Sequence, residues 1–354
     1  MSNVWGQKIK ISIFGESHGP AIGVTIGGLP PGFAIDWSKV AAAMARRAPG
    51  SGDISTPRQE KDQWEILSGM MGDNTSGAPL CAIIRNQDTR SRDYSPHLLR
   101  PGHADYTAWI KYKGFNDYRG GGHFSGRLTA CLVFAGAIAQ QILESRGISL
   151  GGRIYSIYNI ADSPGGAEEM EKLAEKAFPV FDDAAGSRMK EAILQAKADG
   201  DSLGGIIECA AWNLPAGLGE PFFDSAESVI ASMMFSIPGI KGIEFGDGFN
   251  LTTMTGYGAN DQLEVSGDRI KLKSNHNGGI NGGITNGNPL VVRLAVKPTP
   301  TIHKKQTTVD IAKMETTETS FGGRHDPCIV PRALPVAQSA LALCLLDLLM
   351  SDTY

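Results

Sequence analysis

The chain has little that would tie it to a membrane, a nucleic acid or an oxidising compartment. Its five cysteines, Cys81, Cys131, Cys209, Cys328 and Cys344, are odd in number, scattered and without CxxC spacing. Neither a disulfide framework nor a zinc site is expected, and the thiols read as free. The opening MSNVWGQKIK lacks the apolar core of a secretory leader, and no apolar run is expected to span a bilayer. Even ALPVAQSALALCLLDLLM contains Pro335, Gln338 and Asp347, so it reads as a buried helix of a soluble, cytoplasmic protein. A net charge of -4 and dispersed aromatics leave no basic groove for nucleic acid and no patch for anionic lipid. The seven histidines show neither HExxH nor HxH spacing, so no metal site is expected.

What is abundant is glycine, with 44 residues gathered in clusters among 354, while 42% hydrophobic content is enough for a sizeable core. Ile9, Ile11 and Ile13 alternate with Lys10 and Ser12, a strand pattern that stops at Gly15. Asp36 is a suitable N-cap for a helix that Pro49 and Gly50 end just after Arg46 and Arg47. Leu128 to Ser145 reads as a long helix, apolar on nearly every face and therefore covered all round. Residues 168–198 are charged, with helical pieces expected to break at Pro179 and Gly186. GIIECAAW and NPLVVRLAV read as strands. Strands and buried helices interleave without regular βαβ spacing or a composition break. That pattern predicts one α+β domain over residues 1–354.

Several loops gather reactive residues. RGGGHFSGR, Arg119 to Arg127, places bare backbone between arginines before a helix start, an arrangement suited to an anion. Arg127 and Leu128 stand where a Walker A loop needs Lys and Ser/Thr, and Ser125 stands where a dinucleotide fingerprint needs glycine, so neither nucleotide motif is complete. GESHG puts a carboxylate beside His18, RPGHADY puts His103 near Arg100, and GGRHDPC joins Arg324, His325 and Asp326. Histidine is the side chain best suited to proton transfer near neutral pH. Each segment taken singly is also compatible with an ordinary polar turn, and KPTPT with a proline-stiffened strand end.

Taken in order, GESHG, ILSG, RPGHADY, DYRGGG, GDS, PAGLGEP, GDGF, SNHNGGINGGI, KPT and GRHDPC resemble the chorismate synthase family along nearly the whole chain. The resemblance implies a helical layer sandwiched between two antiparallel β-sheets and a homotetramer. It further implies conversion of 5-enolpyruvylshikimate 3-phosphate to chorismate and phosphate, a trans 1,4-elimination that needs reduced FMN without net redox change. His18 aligns with the histidine that protonates the departing phosphate, His103 with the one near the reduced flavin, and Asp326 with the acid that assists at its nitrogen 5. Arg46, Arg47, Arg127 and Arg324 match arginines that face substrate or cofactor, suited to oxyanions by their bidentate geometry. His123, Phe124, Ser125, Gly282, Lys297, Pro298, Thr299, Pro300, Thr301 and Arg324 match FMN contacts. Arg47 also matches a position assigned to NADPH, a candidate reductant alongside an external flavin reductase.

The wording also departs from the family. Where many members read RGGGRSSARET, this chain reads RGGGHFSGRLT; Ala48 and Asp53 replace frequent arginines, and Pro238 and Gly239 replace an Asn-Ala pair. Local positive charge is thereby lower. Two other readings stand beside the lyase: a flavin-dependent oxidoreductase using the same pocket, and a binding module holding a nucleotide or nucleic acid.

Overall fold

The computed structural model describes residues 3–49, 54–55, 60, 62–89, 91–322 and 326–352. Arg324, His325 and Asp53 lie outside the described residues.

Two five-stranded antiparallel sheets form the outer layers. The first contains β1 (Val4–Trp5), β2 (Lys10–Gly15), β3 (Ala21–Gly27), β4 (Trp64–Ser68) and β5 (Leu80–Arg85), in the order β1-β2-β3-β5-β4. In β2 and β3 the buried positions include Ile11, Ile22, Val24 and Ile26, as alternation predicts for strands with one face on a core. The second sheet contains β6 (Ser149–Ile157), β7 (Ile160–Ala161), β8 (Gly205–Trp212), β9 (Ile240–Phe245) and β10 (Leu290–Val296), in the order β9-β10-β8-β6-β7.

Register in the second sheet is pinned by a row of alternating charge. Glu208 lies opposite both Arg153 and Arg293, and Arg293 lies opposite Glu244. The ion-pair distances are 2.7 Å for Arg153–Glu208, 2.9 Å for Arg293–Glu208 and 2.7 Å for Arg293–Glu244. Arg153 and Glu208 are buried, so a one-residue slip would leave enclosed charges without partners.

Between the sheets lie helices. Asp36 caps α1 (Trp37–Arg47) by accepting from the Ser38 N–H at 2.9 Å. α2 (Asp105–Lys111) follows the RPGHADY turn, and α3 (Thr129–Glu144) follows the glycine loop. Every α3 residue except Gln140 and Glu144 is buried, because α3 packs on α1, β3, β6 and the last helix. α4 (Asp183–Ala198) runs straight through Gly186, which does not break it. A Cβ at Gly186 would meet Val180 Cγ2 at 2.8 Å, so glycine here lets the chain after Pro179 lie against the helix. α5 (Ala226–Phe235) and α6 (Val330–Ser351) complete the layer.

By length and composition Val330–Ser351 and Gly126–Glu144 could each cross a membrane, contrary to the expectation that no run here would reach that length. Both are instead mostly buried inside the protein. At their crossing a Cβ on Gly136 would fall 2.3 Å from Ser339 Cβ, so the bare glycine sets how closely they approach. Asp347, near the end of α6, accepts the backbone N–H groups of Gln7, Lys8 and Ile9, the last two at 2.7 and 2.8 Å. One buried apolar cluster runs from Ile9 to Leu348 and takes residues from both sheets and from α1, α3, α4, α5 and α6.

Candidate active site

The ends of β2, α1 and α6 and the loops before α2, before α3 and after β10 converge on one cavity of about 830 Å³, near the upper end of the usual range for small-molecule sites. The first element to place is the glycine triplet. Gly120, Gly121 and Gly122 all have positive φ, at 59°, 82° and 53°, a region that costs other residues free energy. A Cβ on Gly120 would sit 2.3 Å from the His18 ring, one on Gly121 would sit 3.1 Å from His103 Cε1, and one on Gly122 would sit 2.2 Å from the Asp117 carbonyl oxygen. The bare backbone therefore serves first to bring two histidines against one loop. The Ser17 N–H donates to the Gly122 carbonyl at 3.1 Å and locks GESHG to the triplet.

His103 lines the cavity, while His18 stands behind Gly120, edge-on to the Tyr94 ring at 5.2 Å. His123, Phe124 and Ser125 also line it. His123 Nδ1 lies 2.9 Å from the Gly15 carbonyl oxygen, which can only accept, so Nδ1 carries hydrogen there. Ser125 caps the short turn before α3 by accepting from the Arg127 N–H.

Arg47 and Arg127 enter from α1 and the α3 entry, and both reach Asp62. The Arg47–Asp62 contact is 2.6 Å and Arg127 holds the other carboxylate oxygen. Burial pushes Arg47 down to about 10 despite the opposing charge of Asp62. Burial would raise the Asp62 carboxyl, but Arg47 and Arg127 outweigh it and hold Asp62 below its ordinary value. Asp326 is paired with Arg332 at 2.5 Å, and Arg332 also donates to the Arg47 carbonyl at 3.0 Å.

After β10, Lys297, Pro298, Thr299, Pro300 and Thr301 form a continuous wall. Lys297 Nζ donates to the Gly102 carbonyl at 2.5 Å, which joins this wall to the His103 turn. Thr299 Oγ1 is buried and has no hydrogen-bond partner among the described residues. Met233, Ile237, Leu132 and Val336 add apolar surface to the same lining.

Three predicted residues, His18, Arg46 and Gly282, do not line this space; His18 is screened from it by Gly120. Arg46 donates to Gln338 at 3.0 Å, because neighbouring helix positions point about 100° apart and only Arg47 turns inward. Gly282 lies in the exposed turn between Ile280–Asn281 and Ile284–Thr285, beside the segment that bears the exposed Phe222 and Phe223. Arg119 pairs with Asp117 outside the cavity. Conversely, Glu60, Tyr94, Arg100 and Arg332 line the cavity and Asp62 backs it, yet none was singled out from sequence as a site residue. Arg332 begins the helix after RHDPC, and that position was the one available signal.

Among the described residues the wall carries cationic Arg47, Arg100, Arg127, Lys297 and Arg332 against the carboxylates of Glu60 and Asp326. Such a surface can orient a small polyanion, and the adjoining imidazoles can move a proton.

Comparison with known proteins agrees along the chain. The sequence profile described as chorismate synthase matches residues 9–350. A chorismate synthase of Dehalococcoides mccartyi is 44% identical over 351 residues, covering 98% of this chain and 96% of its own. One from Korarchaeum cryptofilum is 43% identical over 357 residues, covering 98% and 97%, and one from Thermococcus kodakarensis is 43% identical over 347 residues with the same coverage. A crystal structure of a chorismate synthase superposes with a TM-score of 0.76 at 29% identity, over 98% of this chain and 93% of that one. With its fold and its full length matched in this way, the chain belongs to the chorismate synthase family.

Proposed function

We propose that the protein converts 5-enolpyruvylshikimate 3-phosphate to chorismate and inorganic phosphate by a trans 1,4-elimination, with reduced FMN in the cavity and no net oxidation. The observation that carries this reading is the convergence of His18 and His103 on the glycine triplet beside an arginine-lined, half-apolar cavity. The residues present fit a flavin: Phe124 and the apolar part of the lining suit a planar ring, while Lys297, Ser125 and Thr299 on the wall suit its polar substituents. Pro298, Pro300 and Thr301 give that wall a stiff backbone, and His123 adds a ring nitrogen.

Arg127, Arg47 and Lys297 would orient the carboxylates and phosphate of the substrate, with Arg324 joining them. Burial makes these contacts stronger than in water and holds the phosphate as negative charge grows on it. His18 would donate the proton that the leaving phosphate takes. His103 and Asp326 would manage the proton balance on the cofactor side, with Arg332 holding Asp326 in place. When bound, reduced FMN would supply electron density as the allylic phosphate departs and a place for the hydrogen that no neighbouring carbonyl makes acidic.

The exposed Phe222, Phe223, Phe249 and Tyr257 support assembly with further copies, and we read the working form as a cytoplasmic homotetramer in which such surfaces are covered. The test is an anaerobic assay with chemically reduced FMN and the phosphorylated substrate. Many turnovers of chorismate and phosphate per flavin are expected. One NADPH consumed per product would favour the oxidoreductase instead. Oxidised FMN with NADPH, with and without an added flavin reductase, identifies the source of the reduced cofactor.

A further inference from the structure

Asp105, the first residue of α2, has no part in the chemistry described above, yet more donors converge on it than on most carboxylates in the protein. Arg100 grips it with Nε at 2.7 Å on one oxygen and a terminal nitrogen at 2.7 Å on the other, while the Arg100 backbone N–H adds a contact at 3.0 Å. His103 Nδ1 lies 2.6 Å from Oδ1. The three side chains are only 9%, 13% and 17% exposed for Arg100, Asp105 and His103.

The hydrogen on Nδ1 follows from the donor inventory. A guanidinium only donates and a carboxylate only accepts. Nδ1 faces Oδ1 at 2.6 Å and an Arg100 nitrogen at 3.1 Å, and that Arg100 nitrogen already donates to Oδ1. The shorter contact, to an acceptor, requires Nδ1–H. The other ring nitrogen, Nε2, then lies on the side of Gly121, where a Cβ would be 3.2 Å away.

We infer that Asp105 is a positioning residue for His103, fixing its Nδ1–H tautomer and ring plane so that Nε2 alone exchanges a proton within the cavity. Arg100 clamps the carboxylate so that it cannot rotate away. In the neutral ring Nε2 offers a lone pair; on taking a proton there the ring becomes imidazolium against the Asp105 carboxylate, and no proton passes to Asp105. Burial would raise the Asp105 carboxyl, but the hydrogen bonds from His103 and Arg100 outweigh it and hold it well below the usual range, which keeps it an acceptor. A role for His103 in catalysis rests on the proposed function; the tautomer does not.

The experiment uses full-length protein labelled with nitrogen-15 histidine, without added flavin, with the His103 signal identified by its loss in His103→Gln. Wild type should show hydrogen on Nδ1. In Asp105→Asn the Arg100 Nε and backbone N–H keep the amide oxygen at the Oδ2 position, the amide NH2 takes the Oδ1 position facing Nδ1 and displaces the Arg100 terminal nitrogen, and hydrogen moves to Nε2. In the loaded enzyme kcat should fall by on the order of 10²- to 10⁴-fold, with KM and flavin affinity within about 3-fold, a split that general loosening does not produce. Asp105→Glu should recover at least about 10-fold of the loss. Hydrogen on Nε2 in the wild type overturns the inference even if Asp105→Asn does not fold, and so does a folded Asp105→Asn with wild-type kcat. A wild type with Nδ1–H that makes no chorismate would instead overturn the proposed function and leave the positioning intact.

Discussion

Replacing Gly120 by alanine separates what the glycine loop does for stability from what it does for chemistry. The new Cβ would lie 2.3 Å from both Cε1 and Nδ1 of His18, whereas ordinary contact begins at 3.4 Å, so the ring must retreat by about 1 Å. Alanine at φ 59° also pays a backbone cost of about 1–2 kcal/mol. With an unfolding entropy of about 2.1 cal/mol/K per residue, that cost lowers the melting temperature of this chain by only about 2 °C. A misplacement of about 1 Å in a reacting group can cost on the order of 10²-fold in rate. Gly147 is the matched control: φ is 80°, and among the described residues nothing lies within 4 Å of its would-be Cβ. Gly147→Ala should show the same small loss on thermal melting with undiminished chorismate formation, whereas Gly120→Ala should lose about 10²-fold in kcat. If both variants keep full turnover, His18 does not need its observed position and the reasoning fails.

Three further outcomes follow from the packing. Asp62→Ala leaves two buried guanidiniums facing each other, at a cost of about 3–5 kcal/mol. Chemical denaturation should register it, and a loss below about 1 kcal/mol would mean the cluster is more hydrated than its burial implies. Asp347→Ala removes the acceptor for three successive backbone N–H groups, Gln7, Lys8 and Ile9. It should cost about 3 kcal/mol and speed amide exchange in β2; unchanged exchange would show the N-terminal strand to be held by other contacts. Asp105 sets a pH dependence. Because its folded-state carboxyl is depressed, the stability it contributes is complete above the unfolded value of about 3.9 and is lost as pH falls through the folded value. Urea unfolding between roughly pH 2.5 and 5 should give a shallower loss for Asp105→Asn than for wild type, and identical slopes would argue against a paired carboxylate.

Local features were legible where local physics decides them. The isoleucine alternation found β2, Asp36 marked the start of α1, and the all-round apolar stretch marked α3 as a middle-layer helix. Gly186 was misread as a break because its neighbour across space, Val180, is not evident from helix propensity alone. The sandwich came only through family likeness and the sheet orders were not foreseen, since strand periodicity does not name a partner. The site shows the same division. His18 and His103 stood out by residue type and loop context. Asp62 joins Arg47 and Arg127 from positions 15 and 65 residues away, and Arg332 reaches the Arg47 carbonyl across 285; such pairings exist only once the layers are assembled. The triplet glycines were expected to admit ligands, and in the fold they first admit two imidazoles.

The placement of α6 has a consequence for how the protein is made. Its residues lie between two sheets whose strands all precede it in the chain. On the ribosome, α1, α3 and α5 emerge before it, but the part of the second sheet that α6 covers, on β6 and β8, stays open until residues 330–351 leave the exit tunnel. The nascent chain is therefore a client for holding chaperones through most of its synthesis, and a translational stall just before Val330 would leave a product prone to aggregate rather than a smaller working enzyme.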